Sequence, residues 1–263
     1  MKRMFKISLG ILFVGLVLII IGFVGHGNRN ITYGYSNGST LFSMHPSVEH
    51  KVNKKLISNQ KFNDINVTAT RANVIIRTGK QYSVSYKGSS NYVPKVIISN
   101  QTLYIKQSGY SNGIFFNYSD GNGTIIITVP KDCTLSGKLG VVEGDLRISE
   151  VDLTNMDVNA SDGDINYNSL TINGGKTTLG DGDFTSRNVT YQGTYTVKNT
   201  DGDNKVINSK TDGIVLQTVD GSNKIDGVDH GSQKMTQNEN AANVLNLQNT
   251  DGDNSVINIM AVQ

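Results

Sequence analysis

From Glu143 to Asp253 the chain repeats one short phrase, acid-Gly-acid, at nearly constant intervals, and a chain that repeats itself in this way folds by stacking copies of one unit. Glu143-Gly144-Asp145, Asp162-Gly163-Asp164, Asp181-Gly182-Asp183, Asp201-Gly202-Asp203 and Asp220-Gly221-Ser222 begin 19, 19, 20 and 19 residues apart, and Asp251-Gly252-Asp253 follows after 31. The long last interval places an insertion within residues 231–242.

Alignment on the first acid tests whether the repeat is structural. Four residues before it stand Leu139, Val158, Thr177, Val197, Leu216 and Leu247; five after it stand Ile148, Tyr167, Ser186, Val206, Ile225 and Val256. Eight after it come Val151, Leu170, Val189, Ser209 and Val228. Mostly apolar columns separated by polar residues are what coils sharing one interior require. Three after the acid the column changes from Leu146, Ile165 and Phe184 to Asn204, Asn223 and Asn254, a set able to form a ladder of stacked amides facing inward or lining a turn. The reading is an all-β chain: a β-solenoid with about 19 residues per coil over about residues 137–263, its coils ~4.8 Å apart, so that each weak strand depends on its neighbours.

The segment before the repeat alternates with period two. Ile65 to Ala69, Val74 to Ile76, Tyr82 to Tyr86, Val96 to Ile98 and Leu103 to Ile105 read as strands, with turns at Thr78-Gly79-Lys80 and Asn100-Gln101. Asp120-Gly121-Asn122-Gly123, between Ile114-Phe115-Phe116 and residues 124–129, carries the strongest hairpin signal. Adjacent Phe115 and Phe116 point to opposite faces of any strand, so one is either exposed for stacking on a sugar or lipid, or covered by a second layer. With 28 Gly, 3 Pro and many Asn, Thr, Ser and Asp, the composition suits brief strands and turns over helix.

The N-terminus differs in kind. Lys2, Arg3 and Lys6 precede an uncharged run over residues 7–24, long enough at ~1.5 Å per residue to cross most of a ~30 Å hydrocarbon layer. It reads as a single membrane helix, N-terminus cytoplasmic and the remainder extracellular; a cleaved signal peptide is the rival. The division that follows is an anchor over residues 1–25, a stalk over 26–51 without sustained periodicity, and a β-rich domain over 52–263. Residues 1–100 hold 13 Lys and Arg against Glu49 and Asp64, while the rest holds 11 against 20 acids. The basic part suits anionic headgroups or a wall polymer, or serves solubility alone; the acidic remainder and an extracellular location disfavour nucleic acid.

The acids admit two readings. Gly supplies a positive φ at a bend and flanking Asp side chains bond nearby amides, which needs no ligand. Alternatively, stacking brings Asp162, Asp181, Asp201 and Asp220 into one column and Asp164, Asp183 and Asp203 into another, where a calcium ion would relieve their repulsion. Neither a calcium-roll nonapeptide nor an EF-hand loop is present. Cys133 is the one thiol, so no internal disulfide and no Cys/His zinc site can form. His26, His45 and His50 fall in or beside the stalk, leaving His230 as the one histidine near the repeat.

From these residues the chain resembles the bacterial putative-adhesin family, a domain family of unknown function. The similarity covers about residues 62–262: alternating strands, the Val129-Pro130 step and then the recurring Asp-Gly-Asp units. It implies a β-solenoid-like fold, a membrane anchor in a Gram-positive type of envelope, and no catalytic residues to transfer. The expected function is non-enzymatic: an adhesion or envelope scaffold binding a cell-wall polymer, a glycan, or a host or envelope protein. An accessory of an envelope-stress response, a calcium-binding solenoid and a polysaccharide-active enzyme are the alternatives. For the last, acid and base must be set about 5–9 Å apart in distinct environments, whereas these acids recur once per coil.

Overall fold

In the computed structural model the described residues are Gly15, 31–36, 39–44, 50–107 and 123–262. Apart from Gly15, the expected anchor over 7–24 lies outside them, as do the Phe115/Phe116 segment and the Asp120-Gly121-Asn122 turn. Among the described residues no helix is long and apolar enough to cross a membrane. The chain divides into two compact units, Met1–Glu49 with Tyr110–Asp120, and His50–Gly109 with Gly121–Gln263. In the smaller, Ile31–Ser36 pairs antiparallel with Ser39–Met44, Ser36 opposite Ser39. This hairpin falls in the segment read as a stalk, and Asn37-Gly38, the dipeptide that best favours a tight hairpin, separates its strands in sequence.

The larger unit is a two-faced parallel stack. Each coil has a long strand, the acid-Gly-acid bend, a strand of about four residues and a second bend leading to the next coil. The long face carries Thr134–Glu143, Asp152–Asp162, Thr171–Asp181 and Thr194–Asp201 in parallel register; the short face carries Leu146–Ser149, Ile165–Asn168, Phe184–Arg187 and Asn204–Ile207. Alternation sends Leu139, Val158, Thr177 and Val197 inward from one face and Ile148, Tyr167, Ser186 and Val206 from the other, all buried. The second bend is turned by Glu150, Ser169, Asn188, Asn208 and Asn258, each near φ +50 to +60°, a conformation Asn tolerates best among residues with a side chain.

The stack extends beyond the repeat read from the sequence. Asp64–Gly79 is one continuous strand, not two, bending from the long face into the short face. Its first half pairs with Thr134–Glu143 and with Thr102–Lys106; its second half pairs with Leu146–Ser149 and with Gly123–Pro130. The middle segment therefore supplies two further levels. Thr78-Gly79 ends that strand and the bend expected there falls at Lys80 and Gln81; Asn100 and Gln101, at φ 51° and 60°, make the expected turn between Lys95–Ser99 and Thr102–Lys106.

Stacking order departs from sequence order at both ends. Asp64–Gly79, the first of the coil-forming strands in sequence, lies one level inside the coil built from Thr102–Lys106 and Gly123–Pro130, on which Ser83–Ser89 and then Lys51–Ser58 add antiparallel. At the other end Val244–Asp251 and Asn254–Ile257, last in sequence, lie between the coil ending at Ile207 and the coil of Gly213–Gln217 and Asn223–Ile225. The insertion makes this possible: Val228–Asp229 and Met235–Gln237 fold back antiparallel on the outermost coil and cover its edges. Val228, expected inside, is 58% exposed, because this coil turns one residue early, at Asp226 and Gly227, and passes into that antiparallel edge.

A clasp holds the intercalated coil. Asp212 accepts hydrogen bonds from the Asn243 side-chain amide and from Val262 N–H, at 2.8 Å for the latter. The Asn243 carbonyl accepts from Asp212 N–H and Gly213 N–H, and its Oδ1 from Gly193 N–H at 2.8 Å. Asp212→Ala is expected to cost about 1–3 kcal/mol by leaving these donors unpaired. Amide exchange should accelerate in 244–257 while 152–187 stays protected, and uniform acceleration would contradict the clasp.

Candidate functional site

The acid-Gly-acid bends form one edge of the larger unit, and their two acids do different work. First acids stand in register in the order Glu143, Asp162, Asp181, Asp201, Asp251, Asp220. Glu143 meets Arg71 of the preceding level at 3.0 Å, and the remaining carboxylates in this column are exposed with no ion pair among the described residues. Second acids instead bond coil to coil. Asp145 Oδ1 accepts from Asp164 N–H at 3.2 Å, Asp164 from Asp183 N–H at 3.0 Å, Asp183 from Asp203 N–H at 2.8 Å, Asp203 from Asp253 N–H at 2.8 Å and Asp253 from Ser222 N–H at 2.8 Å. The ladder begins at Asn73, whose Oδ1 accepts from Asp145 N–H at 2.9 Å.

The central glycine is fixed by two constraints. Gly163, Gly182, Gly202 and Gly252 have φ of 121°, 126°, 116° and 127°, and each N–H bonds the first-acid carbonyl of an adjacent coil. A Cβ on Gly182 would meet the Gly163 carbonyl oxygen at 2.6 Å, and one on Gly202 the Gly182 carbonyl oxygen at 2.3 Å.

Of the candidate calcium ligands, Asp162, Asp181 and Asp201 fall in the free column and Asp164, Asp183 and Asp203 in the bonded one. Among the described residues no three His, Cys, Asp or Glu side chains converge on a point where a metal ion would sit. The second column already spends an oxygen on the neighbouring amide, so the bend is geometrically complete from backbone and side chain. His230 lies on the edge hairpin, its N–H donated to the Asn223 carbonyl at 2.9 Å. Cys133 is half-buried and accepts from the Tyr82 hydroxyl at 3.6 Å.

Behind the bends the interior is polar. Asn204, Asn254 and Asn223 are fully buried and form the amide ladder: Asn254 Nδ2 lies 2.9 Å from Asn223 Oδ1, and Asn204 Nδ2 lies 2.8 Å from Asn254 Oδ1. A second inward row escaped the sequence alignment. Asn199 and Asn249 donate to the Gly182 and Gly202 carbonyls at 3.0 and 2.7 Å, and the Thr218 hydroxyl to the Gly252 carbonyl at 2.9 Å. The signal was present, since these residues stand two before each first acid. Further in, the hydroxyls of Tyr167, Thr177 and Tyr195 bond one another, and Tyr191 donates to Ser186 at 2.6 Å. Burial pushes the phenols of Tyr167, Tyr191 and Tyr195 above the ordinary tyrosine value, so all three remain protonated donors.

The outer faces repeat in register as well. Lys138, Asp157, Lys176, Thr196 and Asn246 form a row on the long face; Arg147, Asn166, Thr185, Lys205, Ser255 and Lys224 form one on the short face. At the long-face bend, near Gly175, a recess of about 500 Å³ opens between Asp157, Lys176, Thr196 and Lys198. The sequence reading missed it, although Gly174-Gly175 inside a strand was the pointer.

A stack of two faces with acid-Gly-acid bends defines a class, the β-solenoid-like domains. Within that class the chain belongs to the Toastrack DUF4097 family, whose model matches residues 62–141 and again 134–257. The chain is similar to a putative cell adhesion protein from Clostridium sporogenes, at 14% identity over 79% of this chain and 99% of that one, with a TM-score of 0.51. It is also similar to a putative adhesin from Bacteroides fragilis, at 13% identity over 80% of this chain and 97% of that one, with a TM-score of 0.34. The first likeness supports the fold alone. No curated protein matches the sequence.

Two outcomes follow from the bend. Gly182→Ala should destabilise severely, since both its φ and the 2.6 Å approach to Gly163 resist a Cβ, whereas Asp181→Asn should leave the melting temperature within about a degree or two. The Lys224–Asp253 pair, joining the outermost coil to the intercalated one, has a pH signature. The Lys224 hydrogen bond holds Asp253 below 3.8, and the Asp253 hydrogen bond holds Lys224 above 10.5. A depressed carboxylate stabilises above its unfolded value and loses that contribution as pH falls through its lower folded value; a raised ammonium stabilises below its unfolded value and loses it as pH rises through its higher folded value. The stability difference between the native chain and Lys224→Met should therefore be flat from about pH 4 to 10 and shrink outside that window.

Proposed function

We propose that this chain is a non-enzymatic extracytoplasmic binding module, tethered by the apolar run over residues 7–24, which acts in adhesion or as an envelope scaffold. The observation that carries the reading is the row Lys138, Asp157, Lys176, Thr196 and Asn246, polar side chains held in register on a stacked face with the hydrogen-bonding capacity to meet a repetitive ligand. Membership of the Toastrack family, and likeness to a protein named as a putative cell adhesion protein, support a surface role. The partner class is a cell-wall polymer, a glycan, or a host or envelope protein. The stacked coils, each stabilised by neighbours, supply the rigidity that lets weak contacts add along a face.

The test is binding of the full chain, in detergent micelles, to an array of glycans, wall polymers and matrix proteins, with millimolar calcium and with chelator. Binding to at least one polymer class, with a melting temperature equal in both conditions, is expected. No binding on any array, with loss of an envelope-stress response on deletion of the gene, would replace this reading by the accessory role. A melting temperature raised by calcium would revive the metal reading, since a ligand held by the folded state alone must stabilise it.

A further inference from the structure

We propose that the recess at the long-face bend binds an acidic sugar unit of an extracytoplasmic polysaccharide, an assignment that rests on the surface-binding reading above. The recess exists because the long strand bends there. Asn155 has φ 48°, Gly174 64°, Gly175 100° and Gly193 65°, and a Cβ on Gly175 would meet the Met156 carbonyl oxygen at 2.4 Å. Gly137 and Gly175 flank Met156 in register, and a Cβ on either would run into the backbone of the neighbouring coil, so the bend recurs from coil to coil with glycine at its tightest point. The resulting recess, about 500 Å³, lies within the ~300–1,000 Å³ usual for small-ligand sites.

Its lining has the chemistry of a hydroxyl-rich anion's counterpart. Lys198 makes no ion pair among the described residues, so its ammonium offers three donors to a carboxylate or phosphate. Lys176 is held at 3.5 Å from Asp157 Oδ1, an oxygen that is covered and has no hydrogen bond. The Asp157 side chain keeps 32% exposure, leaving the carboxylate able to accept from a sugar hydroxyl. Thr196 stands in register with Lys176, and its hydroxyl, 3.5 Å from Asn246 Nδ2, is a further polar partner. Two ammonium groups against one carboxylate leave the recess with a net positive charge, which selects an acidic over a neutral sugar. A lipid is the poorer fit: the one large apolar side chain in the lining, Met156, is fully buried, so an acyl chain has nothing to lie on.

The probes are polygalacturonate and hyaluronan as acidic polymers, dextran as the neutral one and phosphatidylglycerol vesicles as the lipid, each titrated onto the full chain in detergent micelles or nanodiscs. The native chain should bind an acidic polymer in preference to dextran. Lys198→Ala should weaken that binding about tenfold, the loss of one charge-assisted hydrogen bond, and Lys176→Ala/Lys198→Ala should abolish the preference with the melting temperature unchanged. Lys205→Ala, on the other face, should bind as the native chain does. Native binding that the double variant retains would overturn this site and leave the surface-binding reading standing. Failure of the native chain to bind either acidic polymer overturns this site and leaves the surface-binding reading to the wall-polymer and protein arms of its own array. Binding to the vesicles alone, lost in the double variant, would assign the recess to a phosphate headgroup and overturn the polysaccharide.

Discussion

Coils in this chain must stay one strand spacing apart at their bends as well as along their strands, and the rest of the structure depends on that constraint. A strand keeps ~4.8 Å to its neighbour through its own hydrogen bonds, but a bend usually splays. Here each bend places a Gly N–H on the neighbouring first-acid carbonyl and a second-acid carboxylate on the neighbouring amide. The Gly column brings backbone onto backbone so closely that a methyl group would meet a carbonyl oxygen at 2.2–2.7 Å along its length. Both faces inherit their register from this edge, and the interior columns inherit theirs from the faces.

That dependence explains what the sequence made legible. The interval from acid to acid, the inward columns and the Asn204, Asn223 and Asn254 ladder are properties of one coil repeated, so a single chain displays them without any knowledge of contacts. Order in the stack is not such a property. The coil containing Asp220 and the coil containing Asp251 present the same columns, Leu216 or Leu247, Asn223 or Asn254, and Ile225 or Val256, so either could lie against Val197, Asn204 and Val206 with equal pairing. What separates the two orders sits outside the repeat, in Asp212, Asn243 and the antiparallel edge strands, where no periodicity points. The same holds at the other end, where Asp64–Gly79 carries Asn73 and Arg71 in place of the two acids and so escaped the alignment.

The interior shows a division of labour between apolar and amide coils. Leu146, Ile165 and Phe184 fill their column by volume alone and tolerate any apolar neighbour. Asn204, Asn254 and Asn223 do not, because a buried amide beside an apolar side chain loses a partner. Asn204 Oδ1, at the boundary with Phe184, is such an orphan. Keeping the three amides contiguous confines the mismatch to that boundary, whereas scattering them would multiply it. The amides therefore fix which coils form the far end of the stack, and the clasp at Asp212 fixes their sequence within it.

Charge follows the same architecture. Bends need a small flexible residue and two acceptors, which puts the acids on one edge; faces need neither, and their outward positions are open to Lys, Arg, Thr and Asn. The overall charge of +2 includes Lys2, Arg3, Lys6 and Arg29 ahead of the stack, so the acidic edge is set against faces of mixed charge. The recess at Gly175 follows the same architecture: the glycine demanded by the bend of the long strand lines it beside Lys176 and Lys198. A side chain there would obstruct the Met156 backbone of the adjacent coil, so the constraint that builds the stack also sets the bend at which the polar recess lies.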